Sequence, residues 1–345
     1  MCKVAILFGG HSSEHPVSLM SARSVCENMP EQYQLYLVGI TKDGKWYHYQ
    51  GSYQDIENGN WQNYQDNQEV ILSCNRNHHG FYNLSTNSID YIDVIFPVLH
   101  GRFGEDGTIQ GVCQLSGIDC VSDSMQSCVL AMDKELTHIL CQKEGIDMAK
   151  YICVRKQDKI DYQKLFERIK NELSLPCYVK PAREGSSFGA HKISDYQQFI
   201  TYSEDAFSYD NKILYEEFID GTEVGCAILN NEVAKEMFEV IVSTEMYGYK
   251  EKYDGFKTQI CVPAVNLSEQ QQQQAKQLSL KIAGILGCNV IARVDFFNSS
   301  KGLIFNEANL IPGFTSHSLY PAMFRESNVS YGQLLDSLIK LVHRG

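Results

Sequence analysis

The sequence predicts an α/β protein of two or three domains, on three observations. At 345 residues the chain exceeds what one hydrophobic core ordinarily organises. Short apolar runs that end in glycine-bearing loops and pass into helical patterns occur at Lys3 to Asn28 and again at Tyr91 to Leu115. The alternation then restarts, which places a second unit from about residue 123 and a third from about Asp220. Composition agrees with a folded, soluble chain: 43% of residues are hydrophobic and 21% charged. The formal net charge of -12 repels polyanions, so nucleic acid is not an expected partner. No run approaches the roughly 18 apolar residues of a membrane span, and the apolar stretch after Met1 is too short for a signal peptide, so a cytoplasmic protein is expected. Twelve cysteines, spread from Cys2 to Cys288 without a C-x-x-C, read as reduced, mostly buried small hydrophobes.

Each element follows from local pattern. Lys3 to Phe8 is a continuously apolar strand, Gly9-Gly10 turns it into a Ser/His-rich loop, and Pro16 suits the first turn of a helix reaching about Asn28. Leu35 to Ile40 is a second strand, joined by the turn signal Lys42-Asp43-Gly44-Lys45 to the aromatic run Trp46 to Tyr49. Gln50 to Asn87 is polar and reads as loop with short strands, an elaboration and not a domain. Tyr91 to Leu99 is β-rich, and the loop after His100-Gly101 leads to a helix containing Ile109 to Leu115. One helix is expected from about Gln126 to Glu144, stopped by Gly145. A strand at Tyr151 to Val154, a helix at Tyr162 to Glu172 and a strand at Cys177 to Pro181 follow. The third unit has strands at Val224 to Leu229 and Phe238 to Val242, and a helix at Glu269 to Leu286 whose glutamine run is a solvated face. It closes with a hairpin over Val290 to Ala308.

Three segments carry groups able to do chemistry. Lys180-Pro-Ala-Arg-Glu-Gly-Ser-Ser-Phe-Gly189 delivers a lysine from a strand into a loop of backbone N–H groups and hydroxyls, the parts that hold a polyphosphate. The lysine precedes the glycines, unlike a Walker A loop, and a surface turn with an incidental lysine is the alternative. In the hairpin, Arg293 and Asp295 share a face of one strand, as Glu307 and Asn309 do of the next. A turn centred near Lys301 sets Asp295 opposite Glu307 and Arg293 opposite Asn309. Oxygen donors at that density suit Mg²⁺; ordinary cross-strand charge pairs on an exposed hairpin are the alternative, against which stand the apolar flanks Ile291, Phe296, Ile304 and Phe305. Pro312-Gly313-Phe314-Thr315 is a tight turn where the Gly313 N–H can approach a reacting oxygen. His11 and His15, flanking Glu14, read as solvated loop histidines.

Taken in order, these segments resemble the D-alanine-D-alanine ligase family of ATP-grasp enzymes, including the D-alanine-D-serine ligases of vancomycin resistance. The resemblance runs through Val4 to Glu14, Phe96 to Gly101, Gly104 to Gly111, Ala131-Met-Asp-Lys134, Lys180 to Gly189, Tyr253 and Arg293 to Pro321, nearly the whole chain. It implies three units: an N-terminal parallel-sheet domain at 1–122 holding the first D-amino acid, a central domain at 123–219, and a C-terminal domain at 220–345, the last two sandwiching ATP. Lys134 and Lys180 would contact phosphates under the Ser186-Ser187 loop; Glu216, Glu217 and Glu223 would border adenine and ribose, with Lys252 nearby. Asp295, Glu307 and Asn309 would hold a pair of Mg²⁺ ions, Mn²⁺ being a possible substitute. Glu14, aided by His100, would bind the first ammonium, and Glu14, Ser186 and Tyr253 would form a triad joining the first domain to a loop around Met246 to Asp254. Arg293 and the Gly313 N–H would stabilise a tetrahedral oxyanion, and Lys252, Ser318 and Leu319 would line the second amino acid site.

The implied reaction turns the first D-alanine into an acyl phosphate, which the amine of the second D-alanine then attacks, with water excluded by a closing loop. Glu217, Leu310 and Ser122-Asp123 depart from frequent family residues without removing a catalytic group. Tyr247 and Leu319 look like the D-alanine form, whereas Gly39 to Tyr49 and Pro312 to Tyr320 resemble the D-serine branch; D-alanine is the expected second substrate and D-serine the alternative. A catalytically silent nucleotide-binding regulator would lack Arg293 or a metal carboxylate, and all are present. The family is typically homodimeric through its N-terminal side.

Overall fold

The computed structural model describes residues 1–242 and 258–343. The first sheet has eight strands: β1 (Cys2–Gly9), β2 (Tyr33–Ile40), β3 (Trp46–Tyr49), β4 (Gln68–Leu72), β5 (Gly80–Asn83), β6 (Ser88–Tyr91), β7 (Val94–Val98) and β8 (Asp119–Cys120). They lie in the order β6-β5-β4-β3-β2-β1-β7-β8. The β2-β1-β7-β8 half is parallel, and the rest is antiparallel. β1 is apolar throughout because it is covered on both sides: Val4, Ile6 and Phe8 enter one core and Ala5 and Leu7 another. Helix α1 (His15–Asn28), started by Pro16, lays Leu19, Ala22 and Val25 on the first of these cores.

The polar stretch after Gln50 is more ordered than the sequence reading expected. Besides β4 and β5 it forms α2 (Tyr53–Glu57) and a 3₁₀ turn at Asn60–Asn63 that buries Trp61 against Phe8 at a ring separation of 5.1 Å. Gly39 is required beneath that indole, since a Cβ there would collide with the ring. One tryptophan thus anchors an insert whose composition is otherwise that of a loop.

Helix α3 (Thr108–Ser116) follows β7, and the single helix expected from 126 to 144 is two: α4 (Met125–Met132) and α5 (Lys134–Lys143). The break is Asp133, whose backbone is extended (φ -88°, ψ 99°) and whose carboxylate accepts the Leu136 N–H at 3.3 Å, so it ends one helix and caps the next.

The second sheet is antiparallel: β9 (Tyr151–Arg155), β10 (Cys177–Pro181), β11 (His191–Ile193) and β12 (Lys212–Glu217), in the order β11-β10-β12-β9. Helices α6 (Tyr162–Glu172) and α7 (Tyr196–Tyr209) pack Phe166, Ile169 and Phe199 on it. The third sheet comprises β13 (Gly221–Leu229), β14 (Glu232–Val233), β15 (Phe238–Val242), β16 (Thr258–Cys261), β17 (Ile291–Ser299) and β18 (Gly302–Asn309), with β14 paired to β13 outside the order β16-β15-β13-β17-β18. Helix α8 (Glu269–Leu286) covers one face with Ala275, Ile282 and Leu286, and the Cys128, Ala131 and Cys141 side chains of α4 and α5 join that same core. Helices α9 (Leu319–Glu326) and α10 (Tyr331–Val342) return to the first sheet, burying Leu334, Leu335 and Leu338 beside α1.

Asp123 ties the linker after the first sheet to the start of β17. Its carboxylate accepts the N–H groups of Asn289, Val290 and Ile291 at 2.5, 2.9 and 3.1 Å. Asp123→Ala orphans these donors, and a loss of about 2–3 kcal/mol is expected, read as a lower urea midpoint at unchanged slope. All twelve cysteines are free thiols, and Cys74 alone is exposed.

Candidate active site

The three sheets converge on a cleft of about 1500 Å³. From the second sheet, Lys180 at the end of β10 meets Glu216 on β12 at 2.6 Å, a diagonal across the antiparallel pair. Lys134, the first residue of α5, donates to the Glu184 carbonyl at 2.7 Å and lies 3.9 Å from Glu307. His138, one turn further along α5, is held neutral, its pKa pushed down by burial to about 4. Its Nδ1 and the Glu216 Oε1 are buried polar atoms without a hydrogen-bond partner, although that Oε1 lies 3.7 Å from the His138 Nε2. Glu217 also lines the cleft, and its side chain accepts the Lys150 N–H at 2.9 Å.

The third sheet supplies the hairpin. Asp295 stands opposite Glu307 and Arg293 opposite Asn309, the pairing expected from the sequence, but its cause differs. The turn pairs Ser299 with Gly302, half a residue short of Lys301, and a bulge between Asp295 and Phe296 makes up the offset by leaving Asn306 unpaired. Residues two apart share a face in an unbroken strand. Here the register sets Phe305 with Phe296 on the core face, though Phe305 also borders the cleft, and sets Glu307 with Asp295 on the other face.

Arg293 grips Asp295 with Nε at 2.9 and 3.0 Å and Nη2 at 2.6 Å, and Asn309 Nδ2 reaches Asp295 at 3.2 Å and Glu307 at 3.4 Å. Burial raises the Glu307 pKa, but Lys134, Arg293 and Lys180 outweigh it, so the carboxyl ends below its usual range and stays ionised. Glu223 is pushed up to about 7, by burial first and then by the charges of Asp295 and Glu307. Glu307 and Asn309 line the cleft, whereas Asp295 is fully buried beneath them on Arg293. Among the described residues no three His, Cys, Asp or Glu side chains converge as a preformed metal cage. That donor set fits a hard cation completed by phosphate oxygens better than a closed protein site.

The first sheet contributes Glu14, whose Oε1 accepts the Ser186 hydroxyl and whose buried Oε2 has no partner. A Cβ at Gly185 would sit 2.8 Å from that Oε2, so any larger residue there would push the Glu14 carboxylate aside. Ser186 and Ser187 are exposed, with left-handed φ of 47° and 59°. His100 is buried between Ser21 Oγ at 3.0 Å and the Ile311 carbonyl at 3.1 Å, and burial pushes its pKa down to about 4. Gly313 lines the cleft, with no room for a Cβ beside Ser318 Oγ. Ser318 and Leu319 do not line it: Ser318 Oγ accepts the Thr315 N–H at 2.9 Å, and Leu319 opens α9 against the first core. Lys252, Tyr253 and Tyr247 lie outside the described residues.

Two residues depart from the sequence reading. His15 is not a solvated loop residue: it is buried at the start of α1 with Nδ1 2.6 Å from the Gly10 carbonyl, because the loop folds back over it. His11 is exposed, its Nδ1 2.6 Å from the Lys42 carbonyl. Glu105 had no assigned role, yet it lines the cleft, accepts the Gly101 N–H at 2.9 Å and lies 4.0 Å from His100. The only sequence signal was its place in Gly104-Glu-Asp-Gly107.

Burial, followed by the charge on Glu14, pushes Glu105 up to about 8. The folded protein therefore keeps a proton that the unfolded chain releases. Stability from this group is full below its unfolded pKa of about 4.3 and is lost as pH rises through 8. Glu105→Gln is expected to flatten the fall of Tm between pH 5 and pH 8; an unchanged slope would assign that fall to another group.

An N-terminal domain whose sheet is mixed, parallel only in its β2-β1-β7-β8 half and not throughout as expected, and two further α/β sheets, closing on a cleft of lysines and carboxylates, define an ATP-grasp ligase. The chain belongs to the D-alanine-D-alanine ligase family: the family models described as D-ala D-ala ligase N-terminus and C-terminus match residues 3–122 and 140–340. It is 40% identical to the D-alanine-D-alanine ligase of Caldicellulosiruptor bescii, over 98% of this chain and 94% of that protein. It is 39% identical to D-alanine-D-alanine ligase B of Clostridium tetani, over 98% and 93%. The VanG D-Ala:D-Ser ligase structure from Enterococcus faecalis superposes with a TM-score of 0.88 at 38% identity, covering 99% of each chain. The D-alanine-D-alanine ligase structure from Coxiella burnetii gives 0.84 at 25% identity, covering 100% of this chain and 96% of that one.

Proposed function

We propose that this chain joins two D-alanines into D-alanyl-D-alanine at the expense of ATP, for peptidoglycan precursor synthesis. The observation that carries the proposal is one cleft holding an amine-binding carboxylate, Glu14, with an unpartnered buried oxygen, alongside two lysines and the Arg293–Glu307–Asn309 cluster. ATP supplies the phosphoryl group that makes an acyl phosphate of the first D-alanine, and Mg²⁺, for which Mn²⁺ can stand in, offsets phosphate charge. Lys134 and Lys180 bind phosphates, while Glu216, Glu217 and Glu223 border the nucleoside, near Lys252. Glu307 and Asn309 face the cations, with Asp295 available once Arg293 yields one of its oxygens. Glu14 holds the first ammonium beside a neutral His100. Arg293 and the Gly313 N–H oppose oxyanion charge. The Ser186 contact to Glu14 brings the glycine loop across the cleft and excludes water from the acyl phosphate. Tyr253 completes that bridge; Lys252 borders the second amino acid site, which Ser318 and Leu319 serve from behind, by holding the turn after Gly313 and not by lining the cleft.

Units at 1–122, 123–219 and 220–345 accord with the three sheets, the α4–α5 pair bridging the last two through its place in the third sheet's core. A cytoplasmic homodimer formed through the N-terminal unit is part of the same reading. No helix among the described residues is long and apolar enough to cross a membrane.

Likeness to a D-Ala:D-Ser ligase at a TM-score of 0.88 favours D-alanine-D-serine ligation of the vancomycin-resistance type as a second reading. Phosphate release with Mg-ATP decides between them. Efficient turnover with D-alanine alone supports the first reading, and turnover only when D-serine is added replaces it by the second.

A further inference from the structure

Two charged residues outside the cleft form a buried ion pair in the central region. Lys212 on β12 and Asp133 between α4 and α5 are 8% and 6% exposed, and neither lines the cleft. The Lys212 ammonium contacts both Asp133 oxygens at 2.6 Å and Glu135 at 2.9 Å, and Arg155 holds Glu135 from the other side at 2.8 Å. The backbone completes a ring. The Lys134 N–H donates to the Ala182 carbonyl at 3.0 Å, and the Ala182 N–H donates to the Lys212 carbonyl at 2.9 Å. Lys134 therefore hangs from Asp133, while Ala182 continues the strand that carries Lys180. The ion pair and these backbone bonds together link the two cleft lysines, which come from different elements.

We infer that Lys212 and Asp133 are positioning residues for nucleotide binding, acting through Lys134. This rests on the reading that Lys134 and Lys180 hold the nucleotide's phosphates. Desolvating a buried ion pair offsets most of its attraction, so packing alone would be served equally well by apolar side chains. A multiply bonded ammonium adds direction: it holds the first turn of α5 against β12, and a displaced binding group loses much of its effect.

The test measures Kd for Mg²⁺ with a non-hydrolysable ATP analogue, together with KM for D-alanine and Tm. Lys212→Met is expected to weaken analogue binding about tenfold with KM for D-alanine unchanged, and Lys212→Arg to restore most of the loss. The Asp133→Asn/Lys212→Met double variant keeps a capping side chain and leaves no unpaired charge at 133, so it guards against simple unfolding. It should show the same weakening. In a Lys134→Ala background, Lys212→Met is expected to add nothing. If it weakens binding there as strongly as in the wild type, or has no effect in a chain where Lys134→Ala does, the inference fails while the phosphate reading stands. If Lys134→Ala leaves analogue binding intact, the phosphate reading fails and takes the inference with it.

Discussion

Replacing Arg293 by methionine is expected to lower ligation turnover about 10³-fold and to destabilise the fold by about 3–5 kcal/mol. Both effects come from one geometry. Three N–H···O contacts between 2.6 and 3.0 Å bind the guanidinium to Asp295, which has no exposed surface, so its removal leaves an uncompensated charge under the cleft floor. The activity loss follows from the proposed role of Arg293, since the variant withdraws the cation assigned to developing oxyanion charge. Arg293→Lys separates the two effects: a lysine returns the charge without the planar fork, and should recover more of the urea midpoint than of the phosphate-release rate. A methionine variant that melts normally and turns over normally would remove Arg293 from both roles.

Glu307→Gln is expected to cost about 10²–10³ in kcat while leaving Tm nearly unchanged. The side chain keeps its shape and can still meet Asn309, which lies 3.4 Å away. What it loses is a charge that Lys134, Arg293 and Lys180 keep ionised. The diagnostic measurement is the Mg²⁺ concentration giving half-maximal rate, expected to rise at least about tenfold. A fall in kcat with an unaltered Mg²⁺ requirement would mean that Glu307 serves the lysines and not the metal.

Much of the architecture was legible because strands covered on both faces and amphipathic helices leave strong periodic patterns. β10, α6 and α8 have the bounds read from the sequence. What escaped were features decided by single side chains. Asp133 divides an otherwise continuous helical pattern because its own carboxylate competes for the backbone N–H groups. Trp61 orders a polar insert through one burial event. His15 and Glu105 carry no local mark that distinguishes them from exposed loop residues, since their burial depends on how their own loops fold back, onto the Gly10 carbonyl and the Gly101 N–H. Ser318 and Leu319 sit on the right segment, yet the Thr315 turn and the first core occupy their side chains.

The unpaired Asn306 has a consequence for how the hairpin tolerates change in length. Strand geometry counts residues modulo two, and this one extra residue reverses the parity between Phe305 and Glu307. Lengthening the tip between Ser299 and Gly302 adds solvent-exposed chain and is geometrically silent further along. Deleting Asn306 would only regularise the ladder, with Phe305 still opposite Phe296 and Glu307 still opposite Asp295 on the other face. Drawing Asn306 into the ladder opposite Asp295, with no residue lost, would act as a frameshift in space and swing Glu307 to the helix-covered face of Val294 and Phe296, although no site residue had been altered.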